Sequence, residues 1–191
     1  MLSAKYRSYA DKIIIPIASL LAKLNLSPNV ITIAGLILSF FVTISFYYGS
    51  LSLALLFLIL TSICDVLDGG VARVSGRVTR FGGYFDSVVD RYSDGLIFIG
   101  LMLYLREHYS LIFLAMLGSF LVSYTRARAE IFIEKCDVGI AERGERLIIL
   151  IFATMLANFG IDIYYETLIL ITLLTHITFI QRMIYAKMKI K

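Results

Sequence analysis

The sequence predicts an all-α, polytopic membrane protein with six transmembrane helices, an interfacial amphipathic helix before them, and both termini in the cytoplasm. Of its 191 residues, 59% are hydrophobic and 17% are charged, and the mean hydropathy of +0.85 exceeds that of soluble domains. The apolar stretches leave room for six spans of about 20 residues, the length that crosses a bilayer. Every Lys and Arg except Arg106 then lies on one side of the membrane, which the positive-inside rule assigns to the cytoplasm.

The interfacial helix is predicted over residues 1–24. Its apolar run, residues 13–21, contains Pro16 and is too short to cross a membrane. A short apolar run with charges on both flanks is typical of a helix that lies in the plane of the interface. The flanking charged residues are Lys5, Arg7, Asp11, Lys12 and Lys23.

The six-helix bundle is predicted over residues 29–184, within a single membrane-embedded domain that takes up residues 1–191. Ser27 and Pro28 indicate the start of the first span, because Ser is a favoured N-cap and Pro is tolerated in the first helical turn. Gly49 and Ser50 indicate the turn that follows it. The predicted spans are residues 29–48, 51–73, 81–105, 110–134, 143–157 and 163–184.

Charge and cysteine content disfavour two further classes of protein. The net charge of +4 could suggest nucleic acid as a partner, but the basic residues are placed as flanks of membrane helices. Cys64 and Cys136 are isolated in the sequence, so the sequence indicates neither a disulfide framework nor a zinc site. We therefore expect the protein to interact with membrane lipid and not with nucleic acid.

Four aspartates interrupt the apolar sequence where the second predicted span ends and the third begins. Asp65 and Asp68 are spaced i, i+3, and Asp86 and Asp90 are spaced i, i+4, so each pair lies on one face of its helix. An ionised side chain at bilayer depth costs about 2.5 to 3.5 kcal/mol, so a compensating partner is required. If the helices face each other, the four carboxylates form an all-oxygen site that suits Mg²⁺ or Mn²⁺.

The residues between the two aspartate pairs fit a substrate that carries phosphate. Arg73, Arg77 and Arg80 supply guanidinium groups for phosphate oxygens. An alternative is a set of buried Asp–Arg pairs within a helix bundle. Glycines leave the backbone open to a ligand or to a second helix: Gly69, Gly70, Gly76, Gly82 and Gly83.

This stretch resembles the signature of the CDP-alcohol phosphotransferase family, D-x2-D-G-x2-A-R-x8-G-x3-D-x3-D. The resemblance implies that a CDP-linked alcohol donates its phosphoryl-alcohol group to the hydroxyl of an acceptor alcohol, with release of CMP. It also implies two bound Mg²⁺ or Mn²⁺ ions and a homodimer. The matching residues are Asp65, Asp68, Gly69, Ala72, Arg73, Gly82, Asp86 and Asp90.

The resemblance also implies a role for each matching residue. Asp65, Asp68 and Asp86 would be metal ligands, and Asp90 would act as general base toward the acceptor hydroxyl while lying close to the metals. The nucleotide of the donor would be contacted by the second and third spans, with Thr79 added between them. The implied nucleotide contacts are Asp68, Gly69, Ala72, Arg73, Thr79 and Gly82.

Polar residues at the cytoplasmic ends of the last three spans indicate where the acceptor binds. Arginines at membrane depth beside a metal site favour an anionic, phosphorylated acceptor, although flanking charge under the positive-inside rule is an alternative. The segments at residues 123–130 and 141–147, S-Y-T-R-A-R-A-E and A-E-R-G-E-R-L, resemble the phosphatidylinositol-phosphate and archaetidylinositol-phosphate synthases. That branch implies a CDP-lipid donor and an inositol phosphate acceptor. The acceptor phosphate would be held by Ser123, Arg126, Arg146 and Arg182.

Several alternatives stay open. Within the family, the acceptor could be glycerol phosphate, or the donor could be CDP-inositol. An intramembrane prenyltransferase also uses aspartate-rich helices with Mg²⁺, but it lacks the glycine and arginine pattern found here. A cation transporter would spread its polar groups through both leaflets, whereas the polar groups here gather in the cytoplasmic half. We therefore expect an enzyme of the cell membrane whose active site faces the cytoplasm.

Overall fold

The computed structural model describes the backbone of residues 2–190 and the side chains of Lys12 and residues 14–190. The predicted flanking side chains of Lys5, Arg7 and Asp11 therefore lie outside the described residues. All regular secondary structure within residues 2–190 is helical, which confirms the predicted all-α class. The helices are α1 (Leu2–Lys23), α2 (Pro28–Tyr47), α3 (Leu51–Val74), α4 (Arg80–Tyr104), α5 (Tyr109–Ala129), α6 (Arg143–Asn158) and α7 (Tyr164–Lys189).

Four of the helices in residues 2–190 are long and apolar enough to cross a bilayer, namely α2, α3, α5 and α7. Helix α4 is as long as these, but it carries Asp86, Asp90, Arg91 and Asp94. Helix α6 has 16 residues, which corresponds to about 24 Å at about 1.5 Å per residue. The chain is thus a multi-pass membrane protein by its apolar helices, and the six-span topology stays a prediction.

Local sequence accounts for several helix ends. Ser27 caps α2, where its hydroxyl accepts a hydrogen bond from the Val30 N–H at 3.4 Å, and Pro28 occupies the first turn; the predicted start is therefore confirmed. Thr79 caps α4 in the same way and accepts a bond from the Gly82 N–H at 2.9 Å. Gly49 ends the turn after α2 with φ of +70°, a conformation that glycine adopts without strain.

The predicted end of the fourth span is wrong, because α5 stops at Ala129 and not at residue 134. Residues 130–142 form an irregular segment, here termed the α5–α6 loop. The side chain of Glu130 accepts a hydrogen bond from the Cys136 N–H at 3.2 Å, so this loop is folded through side-chain contacts. The last helix, α7, continues to Lys189, beyond the predicted end of the sixth span at residue 184.

Helix α2 packs against both α3 and α4, and α5 packs against α7. Helix α1 lies on α3, where a Cβ at Gly70 would be 2.9 Å from Ile14 Cγ2 and 3.3 Å from the Ala18 Cβ. The largest apolar core, around Leu58, Leu101 and Leu168, holds the helices together among the described residues.

Candidate active site

Three of the four predicted carboxylates converge where α3 faces α4. Asp65 on α3, together with Asp86 and Asp90 on α4, presents carboxylate oxygens that all lie within 4.8 Å of one another. The Oδ1 atom of Asp86 is buried and has no hydrogen-bond partner among the described residues. A buried acceptor oxygen without a donor is costly unless a cation binds it. This donor set therefore fits a hard divalent ion.

Asp68, the fourth carboxylate, is 5% exposed and points toward α2. Its Oδ2 atom accepts a hydrogen bond from the Thr32 hydroxyl at 2.7 Å, and its Oδ1 atom accepts one from the Gly69 N–H. Asp68 is therefore held in a fixed orientation beside the three-carboxylate cluster and is not a member of it. The bond between Thr32 and Asp68 was not predicted from the sequence, because a hydroxyl near a helix start gives no sign of a partner on another helix.

A pocket of about 220 Å³ opens next to Asp68 and Asp86, between α2, α3, α4 and the turn before α4. All six residues predicted to contact the nucleotide line this pocket, so the fold brings them together. Gly82 lies so close to the cap of α4 that a Cβ there would be 2.9 Å from the Thr79 hydroxyl oxygen. The lining residues are Pro28, Asn29, Thr32, Asp68, Gly69, Ala72, Arg73, Arg77, Val78, Thr79, Gly82, Gly83 and Asp86.

Arg143, the first residue of α6, contacts the carboxylate cluster and does not line this pocket. Its Nη1 atom contacts Asp65 and lies 2.6 Å from Asp90 Oδ1, while its Nε atom donates to Asp94 Oδ1 at 3.0 Å. Asp94 is 4% exposed and was not predicted as a site residue. The signal was present, since Asp94 continues the i, i+4 series of Asp86 and Asp90 along one face of α4.

Arg146 lies one turn further along α6 and is 3% exposed. It donates to Asp94 Oδ2 at 2.9 Å and to the carbonyl of Ala141 at 3.2 Å. Asp94 thus accepts from two guanidinium groups, which anchors the start of α6 to α4. In this structure, buried Asp–Arg pairs, the alternative named above, occur beside the carboxylate cluster.

Two of the residues predicted to hold the acceptor phosphate meet at one carboxylate. Glu142 Oε1 lies 3.3 Å from Arg126 Nη1 and 3.3 Å from Arg182 Nη2. Ser123 lies one turn before Arg126 on α5, and its hydroxyl donates to the Ser119 carbonyl at 3.4 Å. Arg146 is turned toward Asp94 instead, so the four predicted residues do not form one group. Their roles in acceptor binding stay predictions.

Arg182 is nearly inaccessible, at 2% exposure. Its Nε atom donates to the Val138 carbonyl at 2.8 Å, and its Nη1 atom donates to the Val122 carbonyl at 2.6 Å. It therefore ties the α5–α6 loop to α5 and α7.

In the same loop, a hydrogen bond from Lys135 holds the pKa of the exposed Asp137 carboxyl below its ordinary value, and Arg126 lies 3.1 Å from Asp137.

Comparison with known proteins connects this geometry to an enzyme family. Residues 25–183 match the sequence profile described as CDP-alcohol phosphatidyltransferase. Archaetidylinositol phosphate synthase from Pyrococcus horikoshii is 39% identical over 92% of this chain and 91% of its own length. The crystal structure of phosphatidylinositol phosphate synthase from Mycobacterium tuberculosis with CDP-DAG bound superposes with a TM-score of 0.80 at 31% identity, covering 92% of this chain and 94% of that one. A structure of the same enzyme in complex with manganese and citrate also gives a TM-score of 0.80 at 31% identity, with 91% and 88% of the two chains covered.

Proposed function

The chain belongs to the CDP-alcohol phosphatidyltransferase family, and from this premise we propose that it makes an inositol phospholipid. It transfers a phosphatidyl or archaetidyl group from a CDP-lipid to a hydroxyl of inositol phosphate and releases CMP. The family assignment and the enzyme class predicted from the sequence are confirmed. The acceptor, the ion and the residue roles belong to the proposal.

The observation that carries the proposal is the arrangement of three features in the site. The 220 Å³ pocket with the nucleotide signature shares Asp86 with the carboxylate cluster. Arg143 at the start of α6 contacts the cluster at Asp65 and Asp90, neither of which lines the pocket. A phosphorus atom between donor nucleotide and acceptor hydroxyl has to occupy the position of the cluster. This arrangement supports group transfer between two polar substrates better than passage of an ion.

Asp65, Asp86 and Asp90 would hold the divalent cation, with Asp68 beside them. Their geometry fits, because three oxygens lie within 4.8 Å and the buried Oδ1 atom of Asp86 has no donor within the described part of the chain. When bound, Mg²⁺ or Mn²⁺ would neutralise the negative charge on the oxygens of the pyrophosphate, including those of the attacked phosphoryl group. Two ions and a homodimer are parts of the same proposal, and the manganese complex of the mycobacterial enzyme supports the choice of metal.

The chain's own residues bind and orient the substrates and accept a proton. The acceptor oxygen forms a bond to the lipid-bearing phosphorus of the donor, and the bond from that phosphorus to the CMP oxygen breaks. Asp90 accepts the proton of the acceptor hydroxyl, and the leaving group is CMP, which departs with its own phosphate group. Thr32 fixes the Asp68 carboxylate at the edge of the nucleotide pocket, so the donor meets an oriented group.

Inositol phosphate is favoured as acceptor by the names of the relatives and by the cationic side of the site. The proteins compared above are archaetidylinositol phosphate and phosphatidylinositol phosphate synthases. Arg126 and Arg182 approach one carboxylate oxygen, which places two guanidinium groups where one phosphate could contact both.

We propose the topology predicted above, with six spans and with the termini and the site on the cytoplasmic side. Basic residues supply the support, because Arg106 alone among the 18 Lys and Arg falls on the other side. The topology is tested in a variant that lacks Cys64 and Cys136. A single cysteine is introduced into it at Glu107 or at Lys189, and intact cells are treated with an impermeant maleimide. The Glu107→Cys protein is expected to react and the Lys189→Cys protein to stay unlabelled; the reverse pattern contradicts the orientation.

The test of function is CMP release by the purified protein with Mg²⁺ and a CDP-lipid, using ester-linked and ether-linked donors in separate reactions. Inositol phosphate, glycerol phosphate, inositol and serine are compared as acceptors, and CDP-inositol as an alternative donor. Release with inositol phosphate alone supports the proposal, and release with glycerol phosphate or only with CDP-inositol overturns it.

Asp90→Asn is expected to abolish turnover and largely spare binding of the CDP-lipid. Asp162→Asn, the same chemical change at an exposed residue just before α7, is the matched control and is expected to keep full activity. Full activity in Asp90→Asn removes Asp90 from the mechanism.

A further inference from the structure

Two adjacent residues at the start of α6 carry opposite charges into two different sites. Glu142 reaches Arg126 and Arg182, both at 3.3 Å. Arg143 contacts Asp65 and Asp90. On the proposed function, the first site takes the anionic part of the acceptor and the second takes the cation. Each residue therefore occupies a site with the same sign of charge as the ligand expected there.

We propose that Glu142 and Arg143 form a pair of internal competitors, in which the acceptor anion displaces Glu142, the divalent cation displaces the Arg143 Nη1 contact, and the two displacements favour each other. This inference rests on the proposed function for the identity of the two ligands. It adds a coupling between the two sites, carried by adjacent residues of one helix end.

The contacts of Glu142 are suited to displacement. Its side chain is 46% exposed, and both of its distances to arginine nitrogens, 3.3 Å, exceed the roughly 2.7 to 2.9 Å of strong charge-assisted hydrogen bonds. Glu142 is the N-cap of α6, yet its side chain makes no capping hydrogen bond to the described helix. A phosphate, with more acceptor oxygens than a carboxylate, competes well for the same two guanidinium groups.

Arg143 has a second partner to keep when it leaves the cluster. Its Nη1 atom serves Asp65 and Asp90, while its Nε atom is bonded to Asp94 at 3.0 Å. A rotation of the guanidinium group about the Nε contact frees the two cluster oxygens and retains the bond to Asp94. The charge of Arg143 then stays paired inside the protein, which lowers the cost of its displacement.

The surroundings of the pair combine a fixed point with a movable segment. Arg146 is 3% exposed and held by Asp94 and by the Ala141 carbonyl, so it fixes α6 one turn further on. Gly144 lies between Arg143 and Arg146, and a Cβ at this position would meet no atom within 4 Å among the described residues. The start of α6 therefore has free space on the Gly144 side, and because Glu142 and Arg143 are adjacent in the chain, a shift that withdraws Glu142 also moves Arg143.

The coupling is tested by binding, without turnover. The Mn²⁺ affinity of the purified full chain in nanodiscs is measured by the electron paramagnetic resonance signal of free Mn²⁺, with and without sulfate as the anion probe. Sulfate is expected to tighten Mn²⁺ binding about 5-fold or more, the lower end of usual coupling factors. By linkage, Mn²⁺ tightens sulfate binding by the same factor, which isothermal titration calorimetry measures.

Glu142→Gln removes the carboxylate that Arg126 and Arg182 share and keeps the size of the side chain, while Glu130 and Asp137 keep their contacts with Arg126. This variant is expected to bind sulfate about 5-fold more tightly, and sulfate should then change its Mn²⁺ affinity by less than about 2-fold, since the coupling factor approaches one. Glu145→Gln, the same charge change at an exposed position one turn along α6, controls for general electrostatics and is expected to behave as wild type.

Two results overturn the inference. One is a wild-type Mn²⁺ affinity that does not depend on sulfate. The other is weaker sulfate binding in Glu142→Gln, since Glu142 would then support the arginines and not compete for them. Both readouts are independent of CMP release, so failure of the proposed acceptor in the activity assay is a separate outcome from failure of the coupling.

Discussion

Asp94 is the site residue for which the structure gives the sharpest stability prediction. Its carboxylate is 4% exposed and accepts from Arg143 Nε at 3.0 Å and from Arg146 Nη2 at 2.9 Å. Asp94→Asn keeps the shape and turns one acceptor oxygen into an amino group facing a guanidinium. Arg146, 3% exposed, keeps only the Ala141 carbonyl. Removal of one partner from a buried ion pair costs about 3 to 5 kcal/mol.

The expected effect is large enough to measure by thermal unfolding in detergent with a thiol-reactive dye, which follows exposure of Cys64 and Cys136. A chain of this size loses about 2 to 4 °C per kcal/mol, so the lower bound of about 3 kcal/mol corresponds to a Tm lowered by about 6 to 12 °C. Asp162→Asn is the control, because its exposed carboxylate caps the Tyr164 N–H at 3.0 Å, which an Asn oxygen can also do.

A double variant separates the ion pair from other effects of the substitution. Asp94→Asn combined with Arg146→Gln removes the buried unpaired charge, so its Tm is expected to lie above that of Asp94→Asn alone, with a coupling energy of about 1 to 3 kcal/mol. The reasoning is refuted if Asp94→Asn melts within about 2 °C of Asp162→Asn, which corresponds to less than about 1 kcal/mol.

Three further predictions follow from single contacts. Gly118→Ala places a Cβ 2.2 Å from Thr175 Oγ1 between α5 and α7 and is expected to lower the free energy of unfolding by about 1 to 3 kcal/mol. Gly144→Ala, in open space, is the control. Equal melting temperatures of the two proteins contradict the packing argument. Thr32→Val removes the 2.7 Å bond to Asp68. Because hydrogen bonds to charged groups contribute about 1.5 to 3 kcal/mol, this variant is expected to lower kcat/KM for the CDP-lipid by at least about 10-fold. An unchanged kcat/KM makes the Thr32 contact irrelevant to donor binding. Removal of divalent ions with EDTA is expected to stop CMP release and Mg²⁺ or Mn²⁺ to restore it, and undiminished release after chelation argues against a metal at Asp65, Asp86 and Asp90.

Much of the site was predictable from the sequence because it is encoded locally. The i, i+3 and i, i+4 spacings of the aspartates fix which face of α3 or α4 each one occupies, so convergence needs only that the two helices face each other. The same holds for the cap at Ser27, which depends on neighbours three residues away. The nucleotide contacts were implied as a group by the resemblance of residues 68–82 to the family signature, and the fold places all six around one pocket.

Tertiary structure decided the features that depend on residues far apart in the chain. Arg143 reaches Asp65 across 78 residues, and Arg182 reaches the Val122 carbonyl across 60; no local pattern specifies either partner. The end of α5 was misjudged for a similar reason, because residues 131–133 are apolar enough to continue a helix, while the Glu130 contact with the Cys136 N–H favours a loop. The sequence by itself thus determined the chemistry of the carboxylates through helical periodicity. The choice of arginine for each carboxylate was decided by packing, since a buried charge pairs with whichever opposite charge the fold brings within reach.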